Sequence, residues 1–239
     1  MPATLASHWI WPLLTALVGL AFTGLVLRQY LSRRHAQQLA WSAGLFFYAL
    51  GAMMEFYSEF VKSWDPTVYR FYYVIAAVLV SCLGLGTIYL IFKRRMWGHI
   101  YLGYIAVMNL VFLGFALTTP LITANLVPGI TVGGKAMPET VRIFSFLNTI
   151  PGSLALFGGA IYSIILFATK RQYSYRMWAN VFIAAGTLVI AAAGSMARTA
   201  VTIWLYPAEM VGAALLLVGF LKAGTIRKEA ASQPAPKAP

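Results

Sequence analysis

The chain has 239 residues, 60% of them hydrophobic and only 10% charged. Soluble domains carry about 25% charged residues, so a soluble fold of this length is excluded and the chain reads as a polytopic membrane protein. The formal net charge of +12 would suit a nucleic-acid partner. The basic residues, however, sit in short segments between apolar runs, where topology signals sit, so no nucleic-acid partner is expected.

Seven apolar spans are predicted, over 8–27, 39–58, 68–92, 98–118, 144–169, 177–197 and 200–222. Each is about 20 residues long, enough to cross a bilayer as a helix. Together they predict an all-α integral membrane protein: a single seven-helix domain over 1–229, followed by a disordered tail over 230–239. That tail, AASQPAPKAP, is rich in Pro and Ala and has no apolar periodicity. The first residues, MPATLASH, carry no basic run, so the first span is not expected to be a cleaved signal peptide.

The charges between spans divide sharply. One side holds Arg28, Arg33, Arg34, Lys93, Arg94, Arg95, Lys170, Arg171, Arg176 and the basic residues from Lys222 onward, against the single acid Glu229. On the other side Lys62, Arg70, Lys135, Arg142 and Arg198 are balanced by Glu55, Glu59, Asp65, Glu139 and Glu209. The positive-inside rule then predicts a multi-pass plasma-membrane protein with its N-terminus outside and its C-terminus in the cytoplasm. Aromatic residues open several spans: Trp9 and Trp11, then Tyr69, Tyr72 and Tyr73, then Trp97 and Tyr101, then Trp178. These are expected as interface anchors.

The longest outer loop, Thr119–Arg142, contains the β-prone runs LITANLV and ITVGGK on either side of Pro128-Gly129. This pattern predicts a short outer β-hairpin between helices four and five. Pro12 and Pro151 lie near the starts of spans one and five, each followed by a basic turn and then by a span holding an Ala-Gly pair. Spans one to three and five to seven could thus be parallel repeats joined by span four, as in some transporters. Glycines recur inside the spans and are expected at close helix contacts.

The chemistry-bearing residues gather in the outer half. Glu209 lies in the last span, two residues after Pro207 and about 14 Å below Ala200 at 1.5 Å per residue. An ionisable side chain at such depth usually faces the protein interior and has a partner. Arg198 is the nearest basic residue, and the sequence leaves Glu209, Glu55 and Glu59 all open as its partner. Pro207 can kink the helix and open a small polar cavity. One reading is an outward-facing pocket with Glu55, Glu209 and Arg198 as its charged groups and Tyr48, Tyr57, Tyr206 and Asn148 on its wall. The other is a structural ion pair tying helices two, six and seven together, with Glu59 solvated.

No other constellation stands out. The three histidines, His8, His35 and His99, fall at span ends, and no Cys/His spacing suits zinc. There is no G-x-S-x-G and no phosphate-binding glycine loop. No cofactor and no enzymatic activity are expected.

The seven-span topology resembles that of microbial rhodopsins and G-protein-coupled receptors. A retinal pigment would need a lysine inside the last helix, and Ala200–Leu221 has none. The arrangement is also similar to seven-helix sensor modules of bacterial histidine kinases and, as three plus one plus three spans, to SWEET-type sugar transporters. The expectation is a non-enzymatic protein of the lipid bilayer that binds a small amphipathic or hydrophobic ligand, such as a lipid, in an outer-half pocket, as a receptor or sensor. It would act as a homo-oligomer or with a cytoplasmic partner. The alternatives are a small-solute transporter with three-plus-three repeats and a hydrophobic scaffold subunit of a membrane complex.

Overall fold

A computed structural model describes residues 9–127, 134–169, 178, 181–190, 192 and 205–232. The described helices are α1 (Ile10–Arg33), α2 (Ala36–Val61), α3 (Pro66–Ile91), α4 (Arg95–Thr118), α5 (Glu139–Thr169), α6 (Val181–Ile190) and α7 (Leu205–Ser232). Six of them, all but α6, are long and apolar enough to cross a membrane. The expected sixth span, 177–197, is described mainly as the shorter α6. The helix α7 continues three residues into the expected tail, and 233–239 lie outside the described residues.

The connections are tight, which makes successive helices antiparallel neighbours. Arg34 and Lys62 end α1 and α2 in the left-handed conformation, at φ 54° and 60°. Their backbone N–H groups donate to Tyr30 O and Ser58 O. Asp65 caps α3: its Oδ1 accepts from Thr67 N at 2.8 Å and Val68 N at 3.0 Å. Pro66 follows at the first helical position, where its missing N–H costs nothing. Helix α1 packs on α2 and α7, α2 on α3, α3 on α4 and α5, and α4 on α5. The turns 34–35 and 92–94 lie at one end, here the basic end.

The expected hairpin is not formed among the described residues, which contain no strand. Its first arm is a 3-10 turn, Thr123–Asn125, while Pro128-Gly129 and 130–133 lie outside the described residues. The loop is instead held from its two ends. Ile122 N donates to Ala136 O at 2.9 Å, and Asn125 Nδ2 donates to Lys135 O at 3.0 Å. Ala136 and Met137 are buried in a cluster with Trp64, Tyr69, Tyr72 and Tyr73. Packing of Ala136 and Met137 against the aromatic rings anchors this end of the loop to the core. The same cluster corrects the reading of the three tyrosines as interface anchors: they are core residues. Trp97 and Trp178 are exposed, as anchors are.

Arg70 crosses to the end of α4, where its Nη1 donates to Ala116 O and to Thr119 O. A cation there satisfies carbonyls that have no intrahelical donor.

The contact of α3 with α5 depends on two glycines. A Cβ on Gly84 would lie 2.6 Å from Gly152 Cα, so only bare backbones approach this closely. Pro151 stands inside α5 and cannot donate to Leu147 O four residues back. The Tyr104 hydroxyl of α4 does so instead, at 2.7 Å. Next to it, Ser81 Oγ donates to Asn148 O at 3.1 Å. The proline is therefore compensated by the neighbouring helices.

Candidate functional site: a cavity with two adjacent carboxyls

Helices α1, α2, α3, α5 and α7 converge on a cavity of about 630 Å³, with α6 also on its wall. Each wall is a stripe at helical spacing. From α2 come Tyr48, Ala52 and Glu55, and from α3 come Tyr72, Ala76, Leu79 and Leu83. Helix α7 supplies Leu205, Glu209, Ala213 and Leu216. Helix α5 supplies Arg142, Ser145, Thr149, Ser153 and Leu156, a polar face on an otherwise apolar span. The lining is mostly apolar with a few convergent polar groups, as in small-molecule sites.

The polar groups concentrate where α2, α3 and α7 meet. Glu55 is 3% exposed and lies six residues from the end of α2, about 9 Å along its axis. The Tyr72 hydroxyl donates to Glu55 Oε1 at 2.6 Å. Among the described residues no N–H or hydroxyl donates to Glu55 Oε2. The group beside it is the Glu209 carboxyl. The Tyr48 hydroxyl donates to the backbone O of Glu209 at 2.9 Å, which fixes this turn of α7 against α2. Glu209 keeps part of its surface open, and the cavity is what it opens onto. Two carboxyls side by side repel unless a proton or a cation lies between them, and two carboxylate groups supply acceptors only.

One tier nearer the loop end, Glu59 is buried rather than solvated. It accepts from the Tyr206 hydroxyl at 2.9 Å and pairs with Lys62 at 3.6 Å. Leu205 and Tyr206 pack against Trp11, so this tier ties α7 to α1 and α2 and closes the bundle above the carboxyls.

Of the residues expected at the site, Tyr48, Glu55 and Glu209 meet on the cavity wall. Tyr206 lies in the tier above, bonded to Glu59. Asn148 is fully buried, and its Nδ2 donates to Phe144 O within α5. Tyr57 is exposed on the outer surface of α2. Arg198 lies outside the described residues. Pro207 stands in the first described turn of α7, directly before Glu209's turn. His99 Nδ1 is 3.1 Å from the Tyr89 hydroxyl, an interfacial pair, and among the described residues no three His, Cys, Asp or Glu gather as a metal site.

Tyr72, Arg142, Ser145 and Ser153 are wall residues that sequence reading passed over. The α5 face carried a usable signal: polar residues at i, i+3, i+7 and i+11 inside an apolar span. Arg142 has no ion pair among the described residues, where the pair formed is Lys62–Glu59.

Comparison with known proteins finds no match: no family model, no curated sequence and no solved structure is similar to the chain.

Proposed function

We propose that this is a non-enzymatic, multi-pass plasma-membrane protein that binds a small amphipathic or hydrophobic ligand between α2, α3, α5 and α7, in the manner of a receptor or sensor. The observation that carries the reading is the cavity wall, where among the described residues the buried Glu55 Oε2 has no N–H or hydroxyl donor and the Glu209 carboxyl lies beside it. Polar groups buried in a bundle are normally satisfied, and ionisable residues at membrane depth mark functional sites. On the positive-inside rule the basic end would face the cytoplasm and the cavity would lie nearer the outer face. Any signal would then leave through the basic turns to a separate partner protein.

The test is mass spectrometry of the chain extracted in native-membrane nanodiscs, with the bound small molecules then released and identified. A reproducible amphiphile at about one per protomer supports the reading, provided that Glu209→Gln loses it while melting within a few degrees of wild type. A bare wild-type protomer would overturn it. So would a Glu209→Gln variant that unfolds as far as it loses ligand, because the carboxyls would then be structural.

A further inference from the structure

Arg142 lines the 630 Å³ cavity and has no acid of this chain paired to it. The chain has six acidic side chains. Among the described residues the ion pair formed is Lys62–Glu59, so Glu55, Asp65, Glu139 and Glu209 are not ion-paired with Arg142. Asp65 is engaged instead with the first backbone N–H groups of α3. Glu229 belongs to the far, basic end of α7. The segments outside the described residues, 1–8, 128–133, 170–177, 179–180, 191, 193–204 and 233–239, contain no Asp or Glu. A cation on the wall of a cavity in a membrane bundle normally has a counter-charge, and here the chain pairs none with it.

One hydroxyl stands with it. Ser145 follows Arg142 by nearly one turn on the same face of α5, and both line the cavity. Other hydroxyls of the wall are spent: those of Tyr48 and Tyr72 on Glu209 O and Glu55, those of Thr149 and Thr187 on carbonyls of their own helices. Arg142 is within electrostatic reach of Tyr69, which precedes Tyr72, the partner of Glu55, by one turn of α3. One turn is about 5 Å, so Arg142 marks an outer tier and the two carboxyls lie deeper. A guanidinium offers a planar fork of N–H donors that matches a carboxylate or phosphate, and a serine hydroxyl beside it adds one more donor. Leu79, Phe146, Ile150 and Leu154 make the nearby α3–α5 wall apolar. A space of this volume suits a small molecule.

Resting on the ligand-binding reading above, we propose that the ligand is an amphiphile with an anionic oxyacid head, a carboxylate or a phosphate, held by the Arg142 guanidinium with the Ser145 hydroxyl, its apolar body lying against the α3–α5 wall of the same cavity.

Four probes added to the protein in phosphatidylcholine nanodiscs, read by native mass spectrometry, test this: dodecanoate, dodecyl phosphate, dodecanol and dodecylamine. At least one of the two acids is expected to bind about tenfold or more tightly than the alcohol and the amine, the range of one hydrogen bond to a charged group, and the tighter acid tells carboxylate from phosphate. Arg142→Gln should bring that acid down to the affinity of the alcohol and leave the alcohol itself unchanged, which also shows that the variant is folded. Ser145→Ala should weaken the acid about threefold, the range of one neutral hydrogen bond, again with the alcohol unchanged. Equal binding of all four probes, or tightest binding of the amine, would overturn the acid head while leaving the ligand-binding reading standing. An Arg142→Gln variant that keeps the preference for acid would overturn the assignment to Arg142, and a Ser145→Ala variant that binds acid as wild type does would overturn the part given to Ser145. Binding of none of the four would overturn this proposal, and a native amphiphile found in the extraction experiment would show that the broader reading survives it.

Discussion

Two side-chain hydrogen bonds tie α7 to α2, Tyr48 to Glu209 O and Tyr206 to Glu59, and the second can be weighed in isolation. The Tyr206 hydroxyl donates to Glu59 Oε1 at 2.9 Å, with Tyr206 2% and Glu59 6% exposed. Tyr206→Phe keeps the ring against Trp11 and Leu205 and removes only the donor. A buried acceptor left without a donor costs about 1–3 kcal/mol. Lys62 cannot make up the loss, because it is 57% exposed and an exposed pair contributes about 1 kcal/mol at most. A cost of about 2 kcal/mol lowers Tm by about 4–8 °C in a chain of this size. Glu59→Met should cost a similar amount, since the hydroxyl then has no acceptor. The double variant should cost less than the sum by about 1–2 kcal/mol, because both polar groups are gone. The assay is thermal unfolding of the four proteins in the same nanodisc. Strict additivity, or a Tyr206→Phe variant melting with wild type, would refute the assignment of this bond as an α2–α7 clasp.

Three further predictions concern the frame around the site. Gly84→Val places methyl groups where Gly152 backbone already sits, 2.6 Å from the new Cβ. Overpacking costs about 1–3 kcal/mol or more, and the loss should show as reduced yield of folded protein in fluorescence-detected gel filtration. Tyr104→Phe withdraws the donor to Leu147 O at a depth where lipid offers no replacement. It should cost about 1–2 kcal/mol in wild type and much less in combination with Pro151→Ala, which restores a backbone N–H at that position to donate to the same carbonyl; melting of the single and double variants decides. Asp65→Ala removes the cap on α3 and should cost about 1 kcal/mol, read in the same melts, with Asp65→Ser recovering most of it.

Much of this arrangement is visible in the sequence, for physical reasons that differ between residues. Hydropathy locates the six long spans because a bilayer leaves no other way to satisfy the backbone over so many apolar residues. Glu55 and Glu209 stand out because carboxyls are costly at that depth, and Tyr48 follows from Glu55 by helical spacing. Tyr72 does not stand out, since tyrosines at a span start look the same whether they face headgroups or a core. Tyr69, Tyr72 and Tyr73 are buried in a cluster that includes Trp64, Phe112 and the loop residues Ala136 and Met137, long-range contacts that span-by-span reading cannot contain. Glu59 is misread for a similar reason: its partner Tyr206 is 147 residues away. Asn148 resembles a pocket residue by type, but the proline at 151 gives its neighbourhood a structural task. The Thr123–Asn125 turn shows the limit of β-propensity, which reports fit to a half-buried sheet surface rather than a backbone preference.

The central claim is that the space between α2, α3, α5 and α7 holds a ligand. A density map of the chain in native-membrane nanodiscs, at a resolution that separates side chains, tests it most directly. The account predicts density for a small molecule in that space, in contact with the wall that Tyr48, Glu209 and Ser153 line. Side chains closed across that space, or density from water alone, would contradict it.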